Sequence, residues 1–390
     1  MHKIQTLNNI AKEGLDRFST ENYSLANKID NPTAIVLRSY DLHEFEISNS
    51  VKAIARAGAG VNNIPVDLMS NRGIPVFNAP GANANAVKEL TIAALLISAR
   101  NICNARDFVR SIDCDGDELK KLIESGKKQF AGIELPGRTL GVIGLGAIGV
   151  HVANAALALG MKVIGFDPKV TVDNAWKLSS GVEKVENLDD IFLRSDAVTI
   201  HVPLVAGTKN LISKKCLNLL KKNSILINFS RAGVISSEAV LKALDEGSLR
   251  SYVCDFPEPL LIKHSKVIAL PHLGASTIEA EQNCAIMVVE NLKDYLENGN
   301  VSYSVNFPSV ALPRMKAYRL TIANKNIPNM VGQISTCLAS AGLNIEDLLN
   351  KSIGNLAYTI VDLDAEIPDA IVNEIFSIEG VLAVRNIGNA

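Results

Sequence analysis

Residues 139–167, TLGVIGLGAIGVHVANAALALGMKVIGFD, constrain this chain more than any other stretch. Leu140, Val142 and Ile143 make a short apolar strand. Gly144, Gly146 and Gly149 follow at Gly-x-Gly-x-x-Gly spacing, then a helix, then a second strand over Met161–Phe166 closed by Asp167. Each glycine has its own reason: a sharp turn, close approach of backbone to a pyrophosphate, and tight packing of helix on strand. The helix N-terminus turns unpaired N–H groups and a positive dipole end toward that phosphate. An acid about twenty residues beyond the glycines accepts hydrogen bonds from ribose hydroxyls and repels a 2′-phosphate, so Asp167 favours NAD over NADP. A glycine triplet alone also occurs in structural turns, and the apolar run 140–160 approaches the length of a membrane span. The strand before, the helix after and the acid at the right distance favour the nucleotide. His151, Asn154 and the internal glycines, with no flanking basic cluster, argue against a span.

A chain of 390 residues has room for two or three domains, and 47% apolar residues with a formal net charge of −2 describe an ordinary globular protein. No basic field exists to attract nucleic acid. The opening residues, MHKIQTLNNIAKEGLDRF, lack the apolar core and cleavage site of a secretory signal, so a cytoplasmic location without a membrane partner is expected. Cys103, Cys114, Cys216, Cys254, Cys284 and Cys337 are scattered with no C-x-x-C pair, which argues for reduced thiols and against a disulfide frame or a metal site.

Before the nucleotide unit, AIVLRS, VKAIARAG and IPVFNAP read as strands of an α/β pattern. Arg38 and Arg56 lie where the first two open into loops, the edge at which open α/β sheets bind ligands. One such arginine is usually just solvated. Two at equivalent strand ends suit an anion, because a guanidinium meets a carboxylate or phosphate with paired donors. Residues 83–111 carry apolar residues at helical spacing and predict one long helix. After Asp167 the rhythm continues through AVTIHVPL, NSILINFSRAG, SYVCDF and KVIALPHLG, strands whose ends carry His201 and Pro203, Ser230 and Arg231, Asp255, and His272. A long amphipathic helix follows over 276–298, then NFPSVALPRM as a linker. The tail reads strand, helix, strand, strand, helix, strand, the ferredoxin-like order. Its small core makes edge-to-edge pairing with a second copy plausible.

An imidazole titrates near neutrality, so His272 can exchange a proton with a hydroxyl that becomes a carbonyl. A carboxylate beside it would stabilise the charged ring and fix its tautomer, and Glu258 in DFPEP is the candidate. Arg231 would hold the substrate carboxylate and polarise its C2 oxygen. A strand-end histidine also serves as a cap or core residue, and a turn glutamate is most often solvated.

RAGAGVNNI, IPVFNAPGANANAVKEL, ELPGRTLGVIGLGAIG, HVPL with Thr208, NFSRAGVI and PHLGAST occur in the order found in D-2-hydroxyacid dehydrogenases. The chain resembles that family over essentially its whole length, and within it those enzymes that act on 3-phospho-D-glycerate and carry a C-terminal ACT domain. The resemblance implies an α/β fold: a Rossmann-type NAD domain (96–275) inserted in a flavodoxin-like substrate domain (1–95 and 276–305), a linker (306–316), and a ferredoxin-like ACT domain (317–390). It implies Arg231, Glu258 and His272 as the catalytic trio. Gly144, Gly146, Ala147, Ile148, Gly149, Asp167, Pro203, Thr208, Ser230 and Asp255 would lie at the NAD. Arg38, Arg56 and Asn83 would contact the phosphorylated substrate. Asn326 and Asn344 match positions of an amino-acid effector site, which points to feedback by L-serine, with an ACT domain that only dimerises as the alternative. The implied activity is NAD-dependent interconversion of 3-phospho-D-glycerate and 3-phosphohydroxypyruvate on the way to L-serine, in a homo-oligomer (dimer or tetramer).

Several positions depart from the family pattern. Ala147 stands where an arginine is common in the glycine loop, Ser236-Ser237 replaces the usual Asp-Glu, and the loop from Asp255 to His272 is short. Two other readings stay open: a reductase of hydroxypyruvate, glyoxylate or 2-oxoglutarate, and an NAD-sensing scaffold without turnover. A phosphate needs Arg38 and Arg56, whereas a small unphosphorylated acid does not.

Overall fold

The computed structural model describes residues 1–315 and 318–388. The expected boundary at 316/317 and the last two residues of the expected 317–390 domain lie outside the described residues. The chain divides into two compact units, one of residues 1–83 with 278–390 and one of residues 84–277. Among the described residues no helix is long and apolar enough to cross a membrane.

The first unit contains a parallel sheet of β1 (His2–Leu7), β2 (Tyr23–Ala26), β3 (Ala34–Leu37), β4 (Ala53–Arg56) and β5 (Val76–Phe77), in the flavodoxin-like order β2-β1-β3-β4-β5. The sequence reading assigns only β3, β4 and β5. It misses β1 because two of its four buried residues are Gln5 and Thr6, whose polar groups are bonded to Asn27. One face of the sheet is covered by helix Ile278–Asn298. Ala285, Val288, Val289 and Leu292 of that helix recur at helical spacing and pack with Ile4, Val36, Ala53 and Phe77.

The same unit carries a four-stranded antiparallel sheet of β13 (Tyr318–Lys325), β14 (Ile345–Ile353), β15 (Leu356–Leu363) and β16 (Val381–Ile387), ordered β14-β15-β13-β16. With helices Met330–Ser340 and Asp369–Phe376 it has the ferredoxin-like order. Leu320 and Ile322 of β13 face those helices, whereas Ala323, with Tyr358 and Ile360 of β15, joins the core around helix Ile278–Asn298. The segment expected as a linker is packed: the Asn306 side chain accepts from Val76 N and donates to Ile74 O, and Phe307 and Val310 are buried.

The second unit is Rossmann-type. Its seven parallel strands are β6 (Thr139–Ile143), β7 (Lys162–Phe166), β8 (Val182–Lys184), β9 (Ala197–Ile200), β10 (Ser224–Asn228), β11 (Leu249–Cys254) and β12 (Val267–Ala269), ordered β12-β11-β10-β9-β6-β7-β8. Chain direction across the sheet reverses between β6 and β9, so the crevice at their carboxyl ends is the ligand position of such a fold. Helices cover both faces. The single helix expected over 83–111 is two, Ala84–Arg100 and Ile102–Arg110. Asn101 breaks it in the left-handed region (φ 54°), with its side-chain amide donating to Phe130 O and Ala131 O.

Candidate active site

The glycine loop ends β6 at the switch point. Gly144 has φ 91°, and a Cβ there would lie 2.7 Å from the His201 carbonyl oxygen. A Cβ on Gly149 would lie 1.9 Å from Gly144 O, so the helix Ala147–Ala158 comes against the loop at a distance only glycine permits. At Gly146, by contrast, a Cβ meets nothing within 4 Å. That open side faces away from the protein's own packing, and the helix start has no side-chain cap, leaving its first N–H groups for an anion. Ala147 and Ile148 form the first turn. One Asp167 carboxylate oxygen accepts from Leu145 N and the other from Lys169 N, both at 2.8 Å. The acid is thereby fixed beside the loop with lone pairs left for ribose hydroxyls. These features fit a dinucleotide.

On the neighbouring strand, Thr208 shapes the turn after Pro203. Its hydroxyl donates to Pro203 O at 2.5 Å and accepts from Val205 N at 2.9 Å. The His201 ring sits 2.9 Å from the Thr199 hydroxyl, and burial pushes its pKa down to about 3, so the ring is neutral.

The chemical groups cluster at the ends of β10, β11 and β12. Asn228, fully buried, accepts from the Ser230 backbone N–H and hydroxyl and donates to Arg231 O, and so sets the loop that presents Arg231. Asp255 organises the histidine turn: its carbonyl accepts from His272 N, and its carboxylate oxygens accept from Leu273 N and Gly274 N at 2.7 Å each. His272 is held at φ 56°, a strained conformation for an imidazole residue, with its side chain exposed. The Phe256 ring contacts both groups. The His272 ring centroid is 4.8 Å away at 52°, and the Arg231 guanidinium carbon is 5.5 Å from the Phe256 centroid. The Glu258 carboxylate accepts from the Ser237 hydroxyl at 2.5 Å, and among the described residues the His272 ring has no hydrogen-bond partner. Burial raises the Cys254 thiol to about 11, which leaves it inert beside the site.

In the first unit, Arg56 closes β4 and Arg38 follows β3. Asn63 ties them together: its side chain accepts from Arg56 Nε at 3.0 Å and donates to Arg38 O and Tyr40 O. Arg38 also pairs with Glu281 on helix Ile278–Asn298 at 2.7 Å. Asn83 has a buried side-chain oxygen without a hydrogen-bond partner among the described residues.

Asn228, Asn63 and Phe256 escape the sequence reading. An asparagine at the end of the apolar run NSILIN was a signal for the first, since a buried amide must be bonded to something specific.

At the far end of β13, a cavity of about 170 Å³ is lined by Asn324, Asn326, Asn350 and the first turn of helix Met330–Ser340. Asn324 is 1% exposed, with its side-chain oxygen unpartnered. Asn344 lies elsewhere, just before β14, its N–H donating to Asp364. Antiparallel pairing puts the start of β14 at the opposite end of the sheet from this cavity.

Residues 92–274 match the family described as D-isomer specific 2-hydroxyacid dehydrogenase, NAD binding domain. A D-3-phosphoglycerate dehydrogenase of Escherichia coli K12 is 31% identical over 378 residues, covering 93% of this chain and 88% of that protein. The chain belongs to the D-isomer specific 2-hydroxyacid dehydrogenase family. Another D-3-phosphoglycerate dehydrogenase, from Methanocaldococcus jannaschii, is 36% identical over 352 residues, 87% of this chain. The chain spans 63% of that relative's length and 54% of the length of one from Synechocystis. Among solved structures, NAD⁺-bound 3-phosphoglycerate dehydrogenase of Entamoeba histolytica superposes with a TM-score of 0.62 at 24% identity, covering 78% of this chain and 98% of that one. Apo D-mandelate dehydrogenase of Rhodotorula graminis gives 0.67 at 23%, covering 80% and 99%. These structural likenesses concern the fold.

Proposed function

We propose that the chain catalyses NAD-dependent oxidation of 3-phospho-D-glycerate to 3-phosphohydroxypyruvate and the reverse, the entry to L-serine synthesis, in the cytoplasm. The observation that carries the phosphorylated substrate is the Arg38–Asn63–Arg56 link: Asn63 accepts from the Arg56 guanidinium and donates to the Arg38 backbone carbonyl, which sets two arginines at adjacent strand ends. Two guanidinium groups at adjacent strand ends match a dianionic phosphate better than a single carboxylate. Asn83 would complete that contact by donating from its side-chain amide nitrogen, leaving its unpartnered oxygen to accept from a substrate hydroxyl.

NAD, when bound, supplies the hydride acceptor. Gly144, Gly146, Ala147, Ile148 and Gly149 would hold its pyrophosphate, Asp167 its ribose, and Pro203, Thr208, Ser230 and Asp255 would line the rest of its site. Arg231 orients the substrate carboxylate and C2 oxygen. His272 takes the C2 hydroxyl proton as the carbonyl forms and returns it in reduction. Glu258 stabilises the charged imidazole.

Initial rates of NADH oxidation with 3-phosphohydroxypyruvate, compared with hydroxypyruvate, glyoxylate and 2-oxoglutarate, test this. A preference for an unphosphorylated acid would reject the substrate, and no turnover of any would favour a scaffold.

We also propose that the cavity beside Asn324 and Asn326 takes L-serine. The helix N-terminus suits its carboxylate and the amides suit its ammonium and hydroxyl. Asn344 would come from a second copy: β14 is an edge strand, and antiparallel pairing of two β14 strands brings each Asn344 toward the other chain's cavity end. Serine titration against activity and sedimentation of the full chain decide it, with inhibition and a dimer expected.

A further inference from the structure

We infer that Ser237 is a positioning residue for the proton-transfer pair, holding Glu258 so that one carboxylate oxygen remains for His272. The inference rests on the reading of Glu258 as the partner of His272 and adds the group that aims it.

Ser236 and Ser237 open helix Ser237–Asp245 and divide two tasks. The Ser236 side chain is the N-cap, accepting from Ala239 N. Capping therefore leaves the Ser237 hydroxyl uncommitted, and it donates to Glu258 Oε2 at 2.5 Å. The turn bearing Glu258 is anchored from behind: Glu258 O accepts from Leu261 N and Ile262 N at 3.0 Å, and Leu261 is buried. Pro257 and Pro259 restrict the backbone on both sides. Only the side-chain torsions of Glu258 are left to fix, and a single hydroxyl on a rigid helix start does so.

The other oxygen, Oε1, has no partner among the described residues. The His272 ring, equally unbonded, rests on Phe256, two residues before Glu258. A tilted aromatic contact steadies the ring without consuming either nitrogen. The carboxylate is held by one oxygen and the imidazole by this ring contact, and the polar atoms that must meet stay available.

The same geometry explains why a hydroxyl stands at 237. An acidic side chain there would face the Glu258 carboxylate across a hydrogen-bond distance and repel it. Glu258 lies within reach of this helix start, and the serine hydroxyl there anchors it.

The test uses the full chain with NADH and 3-phosphohydroxypyruvate. Reduction needs His272 protonated, so the rate falls as pH rises through its pKa. Losing the anchor weakens the carboxylate's support of the imidazolium and moves that falling limb to lower pH. Ser237→Ala should lower kcat about tenfold, leave KM within about twofold, and move the limb down by roughly half a pH unit. Ser237→Thr, which keeps the hydroxyl, should restore both. Ser236→Ala should lower thermal stability through the lost cap without moving the limb. NMR titration of the His272 ring, assigned with His272→Gln, gives the same shift independently of turnover. A limb and a ring titration unmoved in Ser237→Ala would overturn the inference. Glu258→Gln separates the underlying reading: if it too moves neither quantity, Glu258 is not the partner of His272, whereas if it moves both and Ser237→Ala moves neither, only the role of Ser237 falls.

Discussion

The Tyr358 hydroxyl donates to the Gly299 carbonyl at 2.9 Å, joining β15 to the end of helix Ile278–Asn298. The same helix pairs with Arg38 near its start through Glu281. On β15, the neighbours of Tyr358 are Ala357, which lines the cavity beside Asn324, and Thr359, bonded to Asn350 of that cavity. One strand and one helix thus connect the proposed effector cavity to the proposed substrate arginine by direct contacts.

Tyr358→Phe keeps the ring in its apolar surroundings and leaves a buried carbonyl unsatisfied. It should lower stability by about 1–3 kcal/mol in urea unfolding. If the bond couples the two sites, the variant should also blunt the response to serine while leaving the uninhibited kcat intact. An unchanged unfolding midpoint would show that water replaces the hydroxyl and that the contact holds nothing.

Arg319 illustrates a different kind of anchor. It is fully buried, forks onto both Asp362 oxygens at 2.6 and 2.7 Å, and donates to Asn298 O, Leu312 O and Pro313 O. Asp362→Asn removes the counter-charge and leaves a buried cation, which should cost about 3–5 kcal/mol. Replacing both partners by Arg319→Met with Asp362→Leu should cost less than either single change, because no uncompensated charge remains. Denaturant curves of the three variants check this, and additive losses would reject it.

What the sequence discloses divides along sequence distance. The nucleotide unit is legible because its constraint is local: three glycines, a helix start and an acid that all meet within one βαβ. The polar ends of β9 to β12 are legible because a buried strand reads as an apolar run and its end as a break. β1 is not, since Gln5 and Thr6 are made buriable by Asn27, more than twenty residues away. The break at Asn101 depends on a left-handed conformation and on bonds to residues 130 and 131. At the candidate site the chemical residues stand in motifs, but the contacts that support them are not legible there: Ser237 meets Glu258 across 21 residues, and Asn63 meets Arg38 across 25.

The glycine loop permits a contrast between two similar substitutions. Gly149→Ala drives a Cβ to 1.9 Å from Gly144 O, and Gly144 at φ 91° cannot yield. It should destabilise the fold by at least about 2 kcal/mol and abolish NAD binding. Gly146→Ala meets no protein atom within 4 Å, so it should unfold at the parent temperature yet bind NADH at least about tenfold more weakly, because its methyl occupies the side offered to pyrophosphate. Thermal melts with NADH fluorescence titrations measure both. Equal melting losses in the two variants would contradict the packing described.

Acid sensitivity should begin at the switch point. Burial lowers the His201 imidazole from its ordinary 6.5 to about 3, while the backbone N–H of His201 donates to Ile143 O and its carbonyl abuts Gly144. Between those values the unfolded chain binds a proton that the folded chain excludes. Stability from this residue is therefore complete above about pH 6.5 and is lost as pH falls toward 3, at up to about 1.4 kcal/mol per pH unit. His201→Gln, which cannot titrate, should remove that component, so the parent should lose roughly 2 kcal/mol more than the variant between pH 7.5 and pH 5. His2, whose pKa burial also lowers, remains in both proteins and cancels in the difference. Urea unfolding at the two pH values supplies the measurement, and parallel losses in parent and variant would show that His201 takes up its proton in the folded state.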